Sequence, residues 1–239
     1  MKVDILAFAA HPDDIEISCG GTILKHIQMG YKVAIVDLTQ GELGTRGSAQ
    51  TRKKESNEAA KILGLAAREN LKMKDGFFDG SEENKKKIIQ AIRFYQPELV
   101  LANSITDRHP DHGRASKLVS DCCFLSGLSK IKTKSGDRNQ HAWRPKAIYH
   151  YIQDYYIKPD IIVDITGFMD LKIKSIASFK SQFYNPLSKE PETPISDKHF
   201  FDFIEGRARQ FGRLIQTEFA EGFTVEVPIK VDDLSKLNA

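Results

Sequence analysis

Two stretches of the chain combine histidine and aspartate in a way that could hold a metal ion: "AAHPDDIE" at 9–16 and "TDRHPDHGRAS" at 106–116. Adjacent carboxylates such as Asp13 and Asp14 repel each other, so their place at the mouth of an apolar run needs a compensating charge. His11 and Asp14 form H-x-x-D, a nitrogen and an oxygen donor that one turn can bring to a single cation, which would remove the repulsion. Asp13 leaves the backbone in another direction and can face whatever the metal holds. Pro12 restricts the turn. In the second stretch, His109 and His112 fall on the same side of a helix if Pro110 opens it. Three nitrogen or oxygen ligands and one open position make the pattern of catalytic zinc. A lone HPD is most often only a turn; the recurrence as HPDD and HPDH argues for a shared site.

These residues need elements to bring them together. The spacing predicts a strand over 3–10, a loop over 11–18 and a helix over 20–30 closed by Gly30. A second buried strand is expected over 32–39. A helix over 51–65 follows, with Thr51 as N-cap and Gly64 as its stop. A short strand at 70–73, a helix at 82–96, a strand at 98–104 and a helix from Pro110 to Leu125 continue the alternation. Short βα units with strongly apolar strands imply an α/β fold. The expected sheet is mostly parallel, doubly wound and Rossmann-like, with helices on both faces and sites at the strands' carboxyl ends. Both histidine clusters fall at such ends.

The second half reads less regularly. Strands are expected at 146–152 and 161–166 and helices at 168–183 and 198–219, with exposed loops at 132–145 and 185–196. No repeat or linker divides the chain, so one domain over 1–239 with a C-terminal elaboration is expected.

Composition narrows the function. The 239 residues carry 35 basic and 32 acidic side chains, a net charge of +3, too small to suggest a nucleic-acid partner. No apolar run reaches the ~20 residues of a membrane span, and the start lacks a secretory leader. A cytoplasmic protein without a membrane partner is expected. Cys19, Cys122 and Cys123 make no disulfide framework or thiolate zinc site and read as small buried apolar groups. Gly20 and Gly21 follow the first strand, but "CGGTI" is not GxGxxG and the acids beside it would repel a pyrophosphate. A nicotinamide oxidoreductase is thereby disfavoured, and Asp37 at the second strand's end reads as structural. His26, His141, His150 and His199 lack such company, and the lysines at 85–87 read as a solvated helix face.

At "AHPDDIE", "GELGTR", "TRKKESNEAAKILG", "DRHPDHG", "SFKSQF" and "AEGF" the sequence resembles the PIG-L/LmbE-like family of zinc-dependent N-acetylglucosamine deacetylases. The added segments look most like its bacillithiol-biosynthesis branch, which is similar to a deacetylase of N-acetylglucosaminyl malate. The resemblance implies that His11, Asp14 and His112 hold one Zn2+ per chain, other divalent ions being alternatives, and that Asp13 is the general base. It implies that His109 stabilises the oxyanion and protonates the leaving amine, and that Asp111 orients His109. Arg52, and with it Arg108, are implied in substrate binding. Some relatives carry a tyrosine where this chain has Asp107. A homo-oligomer and a small-molecule N-acetyl amino-sugar substrate are also implied.

Within this chemistry, a deacetylase of another N-acetyl sugar such as a chitooligosaccharide, or a bacillithiol-conjugate amidase, is the alternative. From another class, a non-catalytic metal-binding module would need neither Asp13 nor His109.

Overall fold

The computed structural model describes residues 1–233 and 235. The chain runs through β1 (Ile5–Ala9), α1 (Asp14–Gln28), β2 (Val33–Thr39), α2 (Ala49–Leu63), β3 (Ala67–Met73), α3 (Glu82–Tyr95), β4 (Leu99–Ala102) and α4 (Pro110–Leu125). A small hairpin of β5 (Lys134–Ser135) and β6 (Arg138–Asn139) follows, then β7 (Ala147–Tyr151), β8 (Ile161–Asp164) and α5 (Met169–Ile176). A 3-10 turn at Pro194–Ser196 leads to α6 (Phe200–Leu214) and β9 (Ala220–Val225).

Seven strands form one sheet in the order β3-β2-β1-β4-β7-β9-β8. β3, β2, β1, β4 and β7 are parallel, whereas β9 runs antiparallel between β7 and β8. The α/β fold with a mostly parallel sheet is therefore as expected, apart from β9. That strand, "AEGFTV", has no continuous apolar run, and its buried Glu221 and Gly222 disguise it.

β1 is buried along its whole length because its two faces feed two cores. Leu6 and Phe8 pack with Ile88 and Ile92 of α3 and with Leu118, Val119 and Cys122 of α4. Ile5, Ala7 and Ala9 pack on Ile15, Cys19 and Ile23 of α1. Burying a Phe or Leu side chain contributes about 1.5–3 kcal/mol, and helices on both faces are what such a strand requires. All three cysteines are free and buried in these cores. Gly21 serves packing, since a Cβ there would lie 2.7 Å from Ile165.

The chain passes from β1 to β2 and β3 on one side, then crosses back to place β4 on the other side of β1. The connections leaving β1 and β4 diverge, which opens a crevice at their carboxyl ends.

Several boundaries differ from expectation. α1 begins at Asp14, inside the expected loop, and its one non-helical residue is Cys19, next to the expected start. Ser48, not Thr51, caps α2; its side chain accepts the Thr51 N–H. Gly64 does end that helix, in the left-handed conformation at φ 76°. α5 stops at Ile176, where the Ser175 and Ser178 hydroxyls bond to carbonyls three residues back and compete with the helix. The 132–145 segment is mostly exposed but contains the β5–β6 hairpin, held down by Arg93 on the Ile131 carbonyl and Thr133 hydroxyl. Among the described residues no helix is long and apolar enough to cross a membrane.

Behind the crevice, Arg68 of β3 grips Asp37 through two hydrogen bonds of 2.8 and 2.9 Å and Glu16 of α1 through one of 2.5 Å. All three side chains are buried. Asp37 is thus structural, as read. Removing the shared cation leaves two buried carboxylates facing each other, which costs about 3–5 kcal/mol. Arg68→Met is expected to lower the urea unfolding midpoint by that equivalent.

Candidate active site

The first cluster is built by a strained turn. Ala10 N–H donates to Asn103 Oδ1 at 2.9 Å, tying the end of β1 to the end of β4. Asp13 then adopts φ 110°, ψ −25°, a left-handed conformation costing a non-glycine residue about 1–3 kcal/mol. That reversal lets α1 start at Asp14, whose Oδ2 accepts the His11 N–H at 2.9 Å. The adjacent carboxylates are thereby separated: Asp14 faces the histidines, and Asp13 faces a cleft of 460 Å³.

The second cluster arrives on α4, with Pro110 in its first turn and His109 as N-cap. His11, His109 and His112 present ring nitrogens all within 4.8 Å of one another. In two of them a carboxylate holds the outer nitrogen. His11 Nε2 lies 3.1 Å from Asp75 Oδ1 and 3.4 Å from Asp111 Oδ2, leaving Nδ1 3.7 Å from Asp14 Oδ2. His112 Nδ1 meets Asp107 Oδ2 at 2.5 Å, leaving Nε2 3.1 Å from Asp14 Oδ1. Asn103 Nδ2 and Gln153 Nε2 steady Asp14 at 3.0 and 3.2 Å.

An acidic oxygen between two imidazoles, each oriented by a carboxylate on its far side, is an arrangement that suits a divalent cation. The electrostatics agree. Burial opposes charge on His11, but hydrogen bonds to Asp111 and Asp75 and the charge of Asp14 outweigh it and push its pKa to about 10. His112 is likewise pushed to about 9, against burial, by Asp14 and Asp107. Burial would raise Asp14, yet His112 and His11 hold it well below the carboxylate range. The carboxylates thus favour positive charge at this point, which a cation bound by the rings would supply. His109 differs: burial and the charges of His11 and His112 push its pKa down.

Asp13 is 4% exposed, and its Oδ2 has no hydrogen-bond partner. Burial first, and then the charge of Asp14 against the pull of Arg52, raise its pKa to about 7. Arg52 Nη2 stands 3.9 Å from that orphan oxygen. Its guanidinium is bound to Gln182 Oε1 and roofed by Gly41, where φ is +64° and a Cβ would collide with it. Arg52 is itself buried.

Asp111 departs from expectation. Its carboxylate meets His11, Arg114 and the Gly76 N–H, and does not meet His109. His109 Nδ1 instead accepts the backbone N–H of Asp111 at 3.2 Å. Asp107, which stands where some relatives have tyrosine, is the partner of His112. Arg108 lines the cleft with its Nε on Asp154 Oδ2 at 2.8 Å. Asp75, Asn103, Gln153 and Gln182 escaped the sequence reading. Asn103 lies near the end of the strand predicted over 98–104 and Gln153 just past the one predicted over 146–152, the one signal that pointed to them. Thr193, Pro194 and Ile195, from the proline-rich loop, form part of the cleft wall.

Comparison with known proteins is consistent with this geometry. Residues 6–123 match the family model described as PIG-L, GlcNAc-PI de-N-acetylase. The diacetylchitobiose deacetylase of Thermococcus kodakarensis is 30% identical over 189 residues, 75% of this chain and 70% of that protein. Among solved structures, the conserved protein TT1542 from Thermus thermophilus superposes with a TM-score of 0.86 at 31% identity, over 98% of this chain and 100% of that one. The N,N'-diacetylchitobiose deacetylase of Pyrococcus horikoshii, complexed with its inhibitor MPG, does so with a TM-score of 0.79 at 30% identity, over 93% and 83%. Matched along most of its length by such relatives and carrying both histidine clusters in one crevice, the chain belongs to the PIG-L family of de-N-acetylases.

Proposed function

We propose that this protein is a metal-dependent hydrolase that removes the acetyl group from an N-acetylglucosamine derivative. The observation that carries this reading is Asp13 Oδ2, an orphaned buried oxygen beside a ready-made set of metal donors. His11 Nδ1, Asp14 and His112 Nε2 would hold one divalent ion, zinc by the nature of the nitrogen and oxygen donors. Bound there, the ion supplies Lewis acidity toward the acetyl carbonyl and a water that ionises near neutral pH.

The chain's own residues do the rest. Asp13 takes the proton of the attacking water and returns it to the departing amine, a task the resemblance implies for His109. Arg52, kept in place by Gln182 and Gly41, lines the cleft beside Asp13, where it would hold the base and meet a substrate oxygen. His109 accepts a backbone N–H at Nδ1, so its proton resides on Nε2, where it can donate to the developing oxyanion. A donor of this kind is worth about 10²–10³ in rate. Asp111 acts on His11, so His109 works as a neutral donor in place of the imidazolium that an orienting Asp111 would have favoured.

The sugar's substituent is read from two sides. The segments "LAFAAHPDD", "DRHPDHG" and "SFKSQF" favour N-acetylglucosaminyl malate, as in bacillithiol biosynthesis, and Arg108 at the cleft would meet a malyl carboxylate. The two diacetylchitobiose deacetylases favour a chitooligosaccharide, and the pairing of Arg108 with Asp154 suits a neutral second sugar.

Asp13→Ala is expected to abolish acetate release while metal analysis still finds the ion; near-normal turnover would refute the base. His112→Ala is expected to lose the metal itself, shown by the metal content of the purified variant. Acetate release is expected to be fastest from N-acetylglucosaminyl malate in a panel with N-acetylglucosamine and diacetylchitobiose, and to vanish after chelation. Preference for diacetylchitobiose would select the second reading, and no release from any sugar by the zinc-loaded protein would end both.

A further inference from the structure

The turn at residues 153–155, just after β7, touches both sides of the proposed metal site. Gln153 donates from Nε2 to Asp14 Oδ1 at 3.2 Å, while its Oε1 accepts from Asn103 Nδ2 at 3.0 Å and from the Ser104 N–H at 3.2 Å. The N–H groups of Asp154 and Tyr155 donate to Asp107 Oδ1 at 3.0 and 2.8 Å, and the other oxygen of Asp107 holds His112. One short piece of backbone therefore supports the orientation of both Asp14 and His112.

That turn is gripped from outside by α6. Arg207 Nη1 donates to the Gln153 carbonyl and Nη2 to the Asp154 carbonyl, each at 2.9 Å. The guanidinium is steadied in turn by Phe203 at 5.1 Å and Phe211 at 5.9 Å, both on the same helix. A rigid planar fork matches two successive carbonyls; an ammonium, a single charged point on a flexible stem, does not.

We infer that Arg207 is a positioning residue for the metal centre, locking the 153–155 turn so that Gln153 reaches Asp14 and the turn's amides reach Asp107. The inference rests on the reading of Asp14 and His112 as metal ligands. It gives the C-terminal part of the chain a task at a site whose ligands all lie in its first half. Partners that orient metal ligands are worth roughly 10–100-fold in metal affinity.

Zinc affinity, measured by chelator competition on the full chain, tests this independently of any substrate. Arg207→Lys keeps the positive charge but has no planar fork to bridge both carbonyls. It is expected to bind zinc roughly 10–100-fold more weakly, with the thermal melt of the metal-free protein little changed. Gln153→Ala is expected to weaken binding as well, and the double variant to lose less than the product of the two single losses, because both act through one turn. Wild-type affinity in Arg207→Lys, or losses that multiply in full, would overturn the inference. So would a metal-free Arg207→Lys protein that no longer melts cooperatively, which would make Arg207 a residue of the fold. His112→Ala calibrates the assay: if it binds zinc like the wild type, the ligand reading fails and the role of Arg207 falls with it.

Discussion

The concentration of carboxylates around two imidazoles is the constraint to which the rest of the molecule answers. Asp14, Asp75, Asp107 and Asp111 converge within hydrogen-bond or ion-pair distance of His11 and His112 in a largely buried crevice. Such a cluster is unfavourable unless positive charge is brought to it. The carboxylates raise the pKa of both rings, and a divalent ion would meet the demand with a larger charge at one point. Each ring is turned by a carboxylate so that one nitrogen faces Asp14.

The fold allows this density because the crevice lies at the switch point between β1 and β4. Five parallel strands send their carboxyl ends toward it. β1 carries the first cluster, β4 carries Asn103 and the second cluster, β3 carries Asp75, β2 carries the turn over Arg52, and β7 carries Gln153. The strained backbone at Asp13 has the same origin. It makes the chain reverse within one residue, so adjacent acids serve opposite directions, and the hydrogen bonds of Ala10 and His11 hold the reversal in place.

Local pattern made much of this legible. β1, β2 and α4 carry unambiguous signals: strongly apolar runs for the strands, and Pro110 at the helix start. HPDD and HPDH stood out because acids and histidines beside buried strands need an explanation. The illegible parts depended on partners far away in the chain. β9 was hidden because its buried Glu221 is stabilised by Lys172 and by the N–H groups of Gly21 and Thr22, none of them sequence neighbours. The partner of Asp111 is hidden for a related reason: the resemblance implies His109, whereas in space the carboxylate reaches His11, in the loop after β1.

The sequence by itself determined the alternation of apolar strands and amphipathic helices, the two acid-and-histidine clusters and the crevice edge on which they fall. These follow from short-range periodicity and residue chemistry, which the chain carries without reference to its fold. Tertiary structure alone decided which nitrogen of each histidine points inward, which aspartate attends which ring, and that Gln153 and Arg207 belong to the same neighbourhood. Those choices are set by side chains that meet only after the sheet has formed, because a hydrogen bond specifies distance and direction between groups and carries no trace of their separation along the chain.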